Sequence, residues 1–364
     1  MICLFLLFFL LNQNLCNKTI VNRNISDVNN TVIDNALISL NKTIINKRKN
    51  LIMGIIEKYT LEMVLPFFKS LIHSNFNNCE TIMFVRNVSE ILINYLKSLG
   101  VVVYEISKEY KNVKIINLRW KMYIDFLKEK KYSYNLVYSA DVRDTFFQKD
   151  IFKYYENHDS FLGIALEDGT LLERQNKKWI IDFIGEEIYK TIQNQRIICV
   201  GSIWGTVDKF LEFSTIFWEK LIINPQNVEQ GIGNYLIYYE KKFKDCIVTS
   251  DNYGPVMTIG ITPSTNISCD KENNVLNFKG EIAAVVHQYD RKPNIVNNVM
   301  KKYCPELLIT NYSQTKMFNE INMKSQLLLV KKKNEYYENI ILFFSLLESF
   351  TLFLLIKVMY KKKR

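Results

Sequence analysis

The stretch NLVYSADVRDTFFQKDIF, Asn135 to Phe152, carries an apolar run straight into five chargeable side chains, Asp141, Arg143, Asp144, Lys149 and Asp150. A short apolar segment bounded in this way reads as a buried strand leaving its sheet. Two uses of such an exit compete. One is a solvated acidic turn paired to Arg143; the other is a strand edge that delivers carboxylates to a ligand. Side chains alternate along a strand, so Asp141 and Arg143 share a face, and Asp141 meets Asp144 only if the chain turns after Val142.

Upstream, strand and helix patterns alternate. Leu51 to Tyr59 reads as a strand, Leu61 to His73 as a helix, Thr81 to Val85 as a strand, Val88 to Leu99 as a helix and Val101 to Ile106 as a third strand. Asn117 to Lys130 then places Leu118, Met122, Phe126 and Leu127 on helical spacing, ahead of the strand Asn135 to Ala140. These repeats predict an α/β fold, a doubly wound, mostly parallel central sheet flanked by crossover helices. Such sheets bind ligands beyond the carboxyl ends of their strands, where Asp141 falls. After residue 150 the strand signals shorten to SFLGIAL, IICVGSIWG, CIVTSD and IAAVVHQYD, separated by helix-like pieces such as Thr206 to Lys220.

At 364 residues and 48% hydrophobic, the chain can bury a full core. The formal charge is +10, with no Lys/Arg stripe interleaved with aromatics, which argues against nucleic acid and leaves an anionic small ligand. The apolar run at residues 1–16 is too short to span a bilayer and predicts a signal peptide or short hydrophobic segment. Residues 17–50 form an Asn-rich stalk. Four of the seven N-glycosylation sequons, those at Asn17, Asn24, Asn29 and Asn41, lie in it, which points to a lumen. A folded domain is expected over 51–305 and a linker over 306–339. Residues 340–360 are apolar enough for a transmembrane helix, and residues 361–364 make a basic cytosolic tail under the positive-inside rule. The scattered cysteines exclude a zinc ribbon or a disulfide-dense scaffold.

If the chain does turn after Val142, Asp141 and Asp144 set two hard oxygens at one site, as Mn²⁺ or Mg²⁺ bridging a diphosphate requires. A second exit, AAVVHQYDRKP at Ala283 to Pro293, offers His287 to a metal shell and Arg291 or Lys292 to phosphate, or else is a charged loop. In VEQGIGNYLIYY, Glu229 and Gln230 precede Gly231 and Gly233, which either let the backbone approach a ligand or cap a turn. Glu167 and Asp168 in ALEDGTL read as a surface turn, with a general base as their other use. No G-x-x-x-x-G-K or G-x-G-x-x-G phosphate loop is present in the sequence, which counts against a nucleotidyltransferase.

The set in this order, SADVRDTFFQKDIF, then CVGSIWG at Cys199 to Gly205, then EQGIGNYL, then VVHQYDR, resembles the GT-A glycosyltransferases, in particular eukaryotic members with S/T-D-x-R-D-x-x-F-Q, D-Q-G-x-x-N-Y and V-H-Q-Y-D-R motifs. The resemblance covers about residues 51 to 295. It implies a GT-A domain that moves a sugar from a nucleoside diphosphate sugar, a UDP-sugar above all, to a hydroxyl of a glycan, glycoprotein or glycolipid. By position it implies Asp141, Asp144 and His287 as metal ligands, and Arg119, Asp141, Arg143, Gly201, Ser202 and Arg291 near the donor. Gln230 and Glu229 would lie near the donor sugar or acceptor. The chain departs from the pattern with D-x-x-D in place of D-x-D and with Glu229 where the family usually has Asp. With the two termini, the expectation is an endoplasmic reticulum or Golgi membrane enzyme facing the lumen. The alternative is a catalytically inactive GT-A-fold binding protein of the lumen.

Overall fold

The computed structural model describes residues 48–223 and 228–309, and within these the chain divides after Lys292 into two units. In the first unit the elements run β1 (Lys49–Glu57), α1 (Leu61–His73), β2 (Cys79–Arg86), α2 (Glu90–Ser98), β3 (Val102–Glu105), α3 (Ile115–Lys130), β4 (Tyr134–Ala140), β5 (Thr145–Phe147) and β6 (Leu162–Thr170). They continue as α4 (Arg174–Ile184), α5 (Glu186–Ile192), β7 (Arg196–Thr206), α6 (Val207–Ile223), α7 (Glu229–Tyr235), β8 (Ile247–Ser250), β9 (Val256–Thr258), β10 (Ser268–Cys269), β11 (Val275–Leu276) and β12 (Val285–His287).

The alternation expected as far as β4 is the one observed, with α1 falling on the expected residues. The main sheet has seven strands in the order β3-β2-β1-β4-β7-β6-β8. β7 runs antiparallel to β4 and β6, while the other neighbouring strands pair in parallel. Helices cover both faces because the central strands β1, β4 and β7 are buried on both. In β1, Ile52 and Ile56 join Val64, Phe67, Phe68, Leu92 and Leu96 of α1 and α2 on one face. Leu51 and Met53 point the other way, into a core with Trp120, Tyr123 and Leu127 of α3 and Phe210, Phe213 and Phe217 of α6.

Two expectations change. The strand signal in IAAVVHQYD narrows to Val285–His287, which sits in a second sheet of order β5-β12-β9. The backbone ahead of β12 is held instead by irregular bonds, Ala284 N–H to Pro255 O at 2.8 Å and the Gln148 side-chain amide to Ala283 O at 2.8 Å. The turn expected at Glu167 and Asp168 is the last part of β6, which runs to Thr170, and Glu167 is buried. Its alternation with Leu166 turns it off the surface.

The second unit contains α8 (Pro293–Tyr303) and α9 (Pro305–Ile309), each opened by a proline at the position where its missing N–H has no cost. Ile295, Val296, Val299, Met300 and Tyr303 form the apolar stripe of α8. Among the described residues no helix is long and apolar enough to cross a membrane. The expected signal segment at 1–16, most of the stalk, and the anchor at 340–360 with its basic tail lie outside the described residues.

Candidate functional site

Asp141 still follows the main sheet, its N–H donating to Gly201 O of β7 at 3.0 Å. The chain then bends through Val142 to Asp144 and enters β5, so the turn that the carboxylate pair needs is present. Gly54 of β1 makes room for it: a Cβ there would lie 2.5 Å from Val142 Cγ2. His287 ends β12 directly opposite Thr145, which brings it over the bend. As a result, ligand atoms of Asp141, Asp144 and His287 all lie within 4.8 Å of one another. His287 Nε2 is 3.4 Å from Asp144 Oδ1 and 3.6 Å from Asp141 Oδ2.

Two hard oxygens and one imidazole nitrogen at these separations suit a divalent ion such as Mn²⁺ or Mg²⁺, whose ligands sit about 2.0–2.5 Å from the metal. The observation that makes the fit is an orphan: His287 is 1% exposed, and its Nε2 has no hydrogen-bond partner. Its other ring nitrogen is engaged, with Nδ1 3.3 Å from Cys199 Sγ, which directs Nε2 at the carboxylates. Burial works to lower the His287 pKa, but Cys199, Asp144 and Asp141 outweigh it and hold the ring well above its ordinary value. Burial likewise works to raise Asp141, but Arg119 and His287 overcome this and hold its carboxyl below the ordinary range. Gly201 completes the packing, since a Cβ there would sit 2.5 Å from both Asp141 Oδ2 and His287 Cε1.

Beside this group lies a second buried charge cluster. Arg119, 1% exposed, donates through Nε to Glu229 Oε2 at 2.9 Å, through one terminal nitrogen to Glu229 Oε1 and through the other to Asp141 Oδ1. Trp120 Nε1 adds a bond of 2.9 Å to Glu229 Oε2. Burial disfavours the charge on Arg119, yet Glu229 and Asp141 raise its pKa well above the usual value. Arg119 thus fixes Asp141 from behind, and Glu229 is the partner that fixes Arg119.

A cavity of about 410 Å³ opens in front of Asp141 and His287, lined also by Gly201, Glu229, Gln230 and Arg291 among others. That size falls in the range of small-molecule sites. Arg291 is exposed, with Nη1 3.1 Å from Gln288 Oε1. Gln230 is half-buried, and its Oε1 accepts from Val200 N–H at 3.2 Å. Three residues expected at the donor do not line the cavity. Arg119 lies behind Asp141; Ser202 is fully buried 3.1 Å from the Tyr138 hydroxyl; Arg143 pairs with Asp290 at 3.1 Å and Asp144 at 3.7 Å. Gly231 and Gly233 serve helix packing: a Cβ on Gly231 would lie 2.7 Å from Trp179 O of α4, and one on Gly233 would collide with Val200.

Sequence reasoning missed several residues. Cys199 carried no signal beyond being buried in a strand. Glu167, named in the sequence as a surface turn with a general base as its other use, is instead 4% exposed and lines the cavity, and burial pushes its carboxyl above the ordinary range. Tyr59, just past β1, has its hydroxyl pushed up to about 12 by burial, with Arg143, Asp141 and Asp144 as the nearby charges. Its place at the carboxyl end of a strand beside β4 was the available clue. From α4 come Asn176 and Trp179.

A scan against protein-family models finds none that matches, and a search of curated proteins finds no match. Among solved structures, the galactosyltransferase LgtC in complex with donor and acceptor sugar analogues is 13% identical, over 65% of this chain and 86% of that one, at a TM-score of 0.41. A glycosyltransferase involved in the glycosylation of the major capsid of PBCV-1 is 12% identical, over 70% of this chain and 98% of that one, at 0.38. The glycosyltransferase GlyE of Streptococcus pneumoniae is 13% identical at 0.40, over 66% of this chain and 54% of that one, so the chain spans about half its length. These three solved structures are glycosyltransferases. Likeness at this distance carries no argument about chemistry, which has to come from the site itself.

Proposed function

We propose that this chain is a metal-dependent glycosyltransferase that moves a sugar from a nucleoside diphosphate sugar to a hydroxyl acceptor. The observation that carries the reading is the convergence of Asp141, Asp144 and the unpartnered His287 Nε2 at the carboxyl end of β4, at the wall of a cavity that also holds Arg291. Asp144 and His287 are buried, Asp141 is half-exposed, and a His287 Nε2 without a hydrogen bond leaves a place that a divalent cation would fill. A divalent ion bound there would offset the charge that builds on a departing diphosphate.

The chain's own groups supply the rest. Arg291 at the cavity wall offers a planar guanidinium to phosphate oxygens. Arg119 holds Asp141 in place without reaching the ligand. Gln230, anchored on Val200 N–H, sits at the wall where the sugar and its acceptor would meet, and rigid placement of that kind is what brings a hydroxyl against an anomeric carbon. Glu167 is a buried carboxylate of the cavity, with His287 and Arg291 as its nearby positive charges. It is therefore our candidate to accept the acceptor's proton. The sequon-rich stalk and the apolar C-terminal segment support a membrane-anchored, lumen-facing enzyme of the secretory pathway.

The test is calorimetry on the full chain with UDP, with and without Mn²⁺, for the wild type and Asp144→Ala. Metal-dependent binding that weakens at least about tenfold in the variant is the expected result. Binding that ignores Mn²⁺, or no binding of UDP or GDP, would leave a non-catalytic protein of this fold as the better description.

A further inference from the structure

The residue after His287 is Gln288, which also lines the cavity and whose backbone lies in the left-handed region at φ 60°, ψ 32°. A residue with a side chain sits there at a cost that glycine would avoid, so the reason for a glutamine has to lie in its side chain. That side chain is buried, and the protein engages both of its ends. Oε1 accepts from Arg291 Nη1 at 3.1 Å, while Nε2 lies 3.8 Å from Cys199 Sγ and also faces Glu167. The amide cannot be turned round, since a flip would set its NH₂ against the guanidinium.

The surrounding residues are shaped to this pair. Tyr289–Arg291 forms one 3₁₀ turn, whose three-residue repeat brings Arg291 back over Gln288. The turn is pinned by Tyr289, buried and edge-on to Phe146 at 5.1 Å, and by Asp290, which pairs with Arg143 at 3.1 Å. From the other side, Gly260 in the loop after β9 leaves the space that the pair fills: a Cβ there would collide with Gln288 Oε1 and lie 2.6 Å from Arg291 Nη1. Arg291 itself is exposed. An exposed arginine without a fixed partner samples many rotamers, and ordering it on a ligand costs affinity. Here a buried amide does the ordering beforehand.

We infer that Gln288 is a positioning residue of the cavity, holding the Arg291 guanidinium in place for an anionic ligand, and that the absence of a side chain at Gly260 is a condition of that hold. It rests on the transferase reading in one respect: that reading makes the anion a nucleoside diphosphate.

Calorimetry on the full chain, with UDP as the probe and Mn²⁺ present, reads the hold through a double-mutant cycle of Gln288→Gly with Arg291→Ala. Glycine suits the left-handed backbone, so the variant keeps the turn while losing the amide. UDP binding should weaken about three- to tenfold, the worth of ordering one long side chain in advance. In the Arg291→Ala background the same substitution should change it less than about twofold. Gly260→Ala, whose Cβ pushes the tips of both side chains aside, should act like Gln288→Gly when Arg291 is present and add nothing when it is absent. Gln288→Asn also tolerates left-handed backbone but falls one methylene short of Arg291; it should weaken UDP binding as the glycine variant does, and it serves if that variant fails to fold. Wild-type binding in Gln288→Gly and Gln288→Asn overturns the assignment. So does a loss that persists in the Arg291→Ala background, which would place the effect at the adjoining His287. Either result leaves the transferase reading standing. A wild type that binds no UDP with Mn²⁺ removes that reading and this assignment with it.

Discussion

Two buried charge clusters meet at Asp141, and they are finished differently. On one side, Arg119, Glu229 and Trp120 satisfy each other: the guanidinium serves both carboxylates, and the indole N–H closes the remaining lone pair. On the other, Asp144 and His287 face Asp141 with an imidazole nitrogen left over. Both are deep in the protein, so depth does not separate structure from function. Completeness does here: the Arg119 cluster satisfies itself, whereas the His287 group keeps one ring nitrogen open at a cavity.

The comparison breaks most visibly at Arg119. Arg119→Met leaves Glu229 buried without its counter-charge and should cost about 3–5 kcal/mol in urea unfolding. Asp144→Asn should cost the metal-free chain far less while removing Mn²⁺-dependent binding. Equal stability losses in the two variants would erase the distinction between closed and open. Gly201→Ala comes next. Its Cβ would press on Asp141 and His287 together, so about 1–3 kcal/mol of stability and the rise in melting temperature on adding Mn²⁺ should be lost in one substitution. A Mn²⁺ response like that of the wild type would show that the three donors are not held where the structure has them.

The smallest effect sharpens the contrast with a third kind of charge. Burial works to raise the Glu173 pKa, but the backbone N–H groups of Asn176 and Gln175 and the Asn176 side-chain amide, with no ion pair among the described residues, overcome it and hold the carboxyl below the ordinary value. Its stabilisation is therefore present above the unfolded-state pKa, roughly 4.3, and is lost as pH falls through the lower folded value. Glu173→Ala should cost about 0.5–2 kcal/mol near neutral pH, as helix caps do. The gap between wild type and variant should close on acidification when melting curves are compared across pH. A gap independent of pH would mean that packing, not the cap, is at work.

Legibility followed the range of each interaction. The alternation from β1 to β4 was readable because parallel strands buried on both faces make continuous apolar runs and the intervening helices keep a 3.6-residue rhythm. Asp141 could be placed for the same reason, as the residue where the run stops. Whether Asp144 turned back toward it depended on a hole left by Gly54 on another strand, which no local pattern reports. β5, β9 and β12 are three residues each, too short for periodicity, so the second sheet was invisible. The partner of Arg119 lies 110 residues away, and an arginine on a helix gives no sign of whether it faces phosphate or a buried glutamate. Glu167 was misplaced because Asp-Gly just after it is a strong turn signal, overridden here by pairing between β6 and β7.

The pairing of β5 with β12 has a consequence for how the site comes into being. His287 reaches the carboxylates only once a strand from late in the chain has docked beside one from its middle. The Gln148 side chain clips the same late segment across 135 residues, at Ala283. Contacts of such long range form after the local β-α-β units, since loop closure opposes them until enough of the chain is in place. Every residue of the small sheet is buried, so its amides should exchange slowly, and a further slowing on adding Mn²⁺ would show that a cation at Asp141, Asp144 and His287 also ties the two strands together.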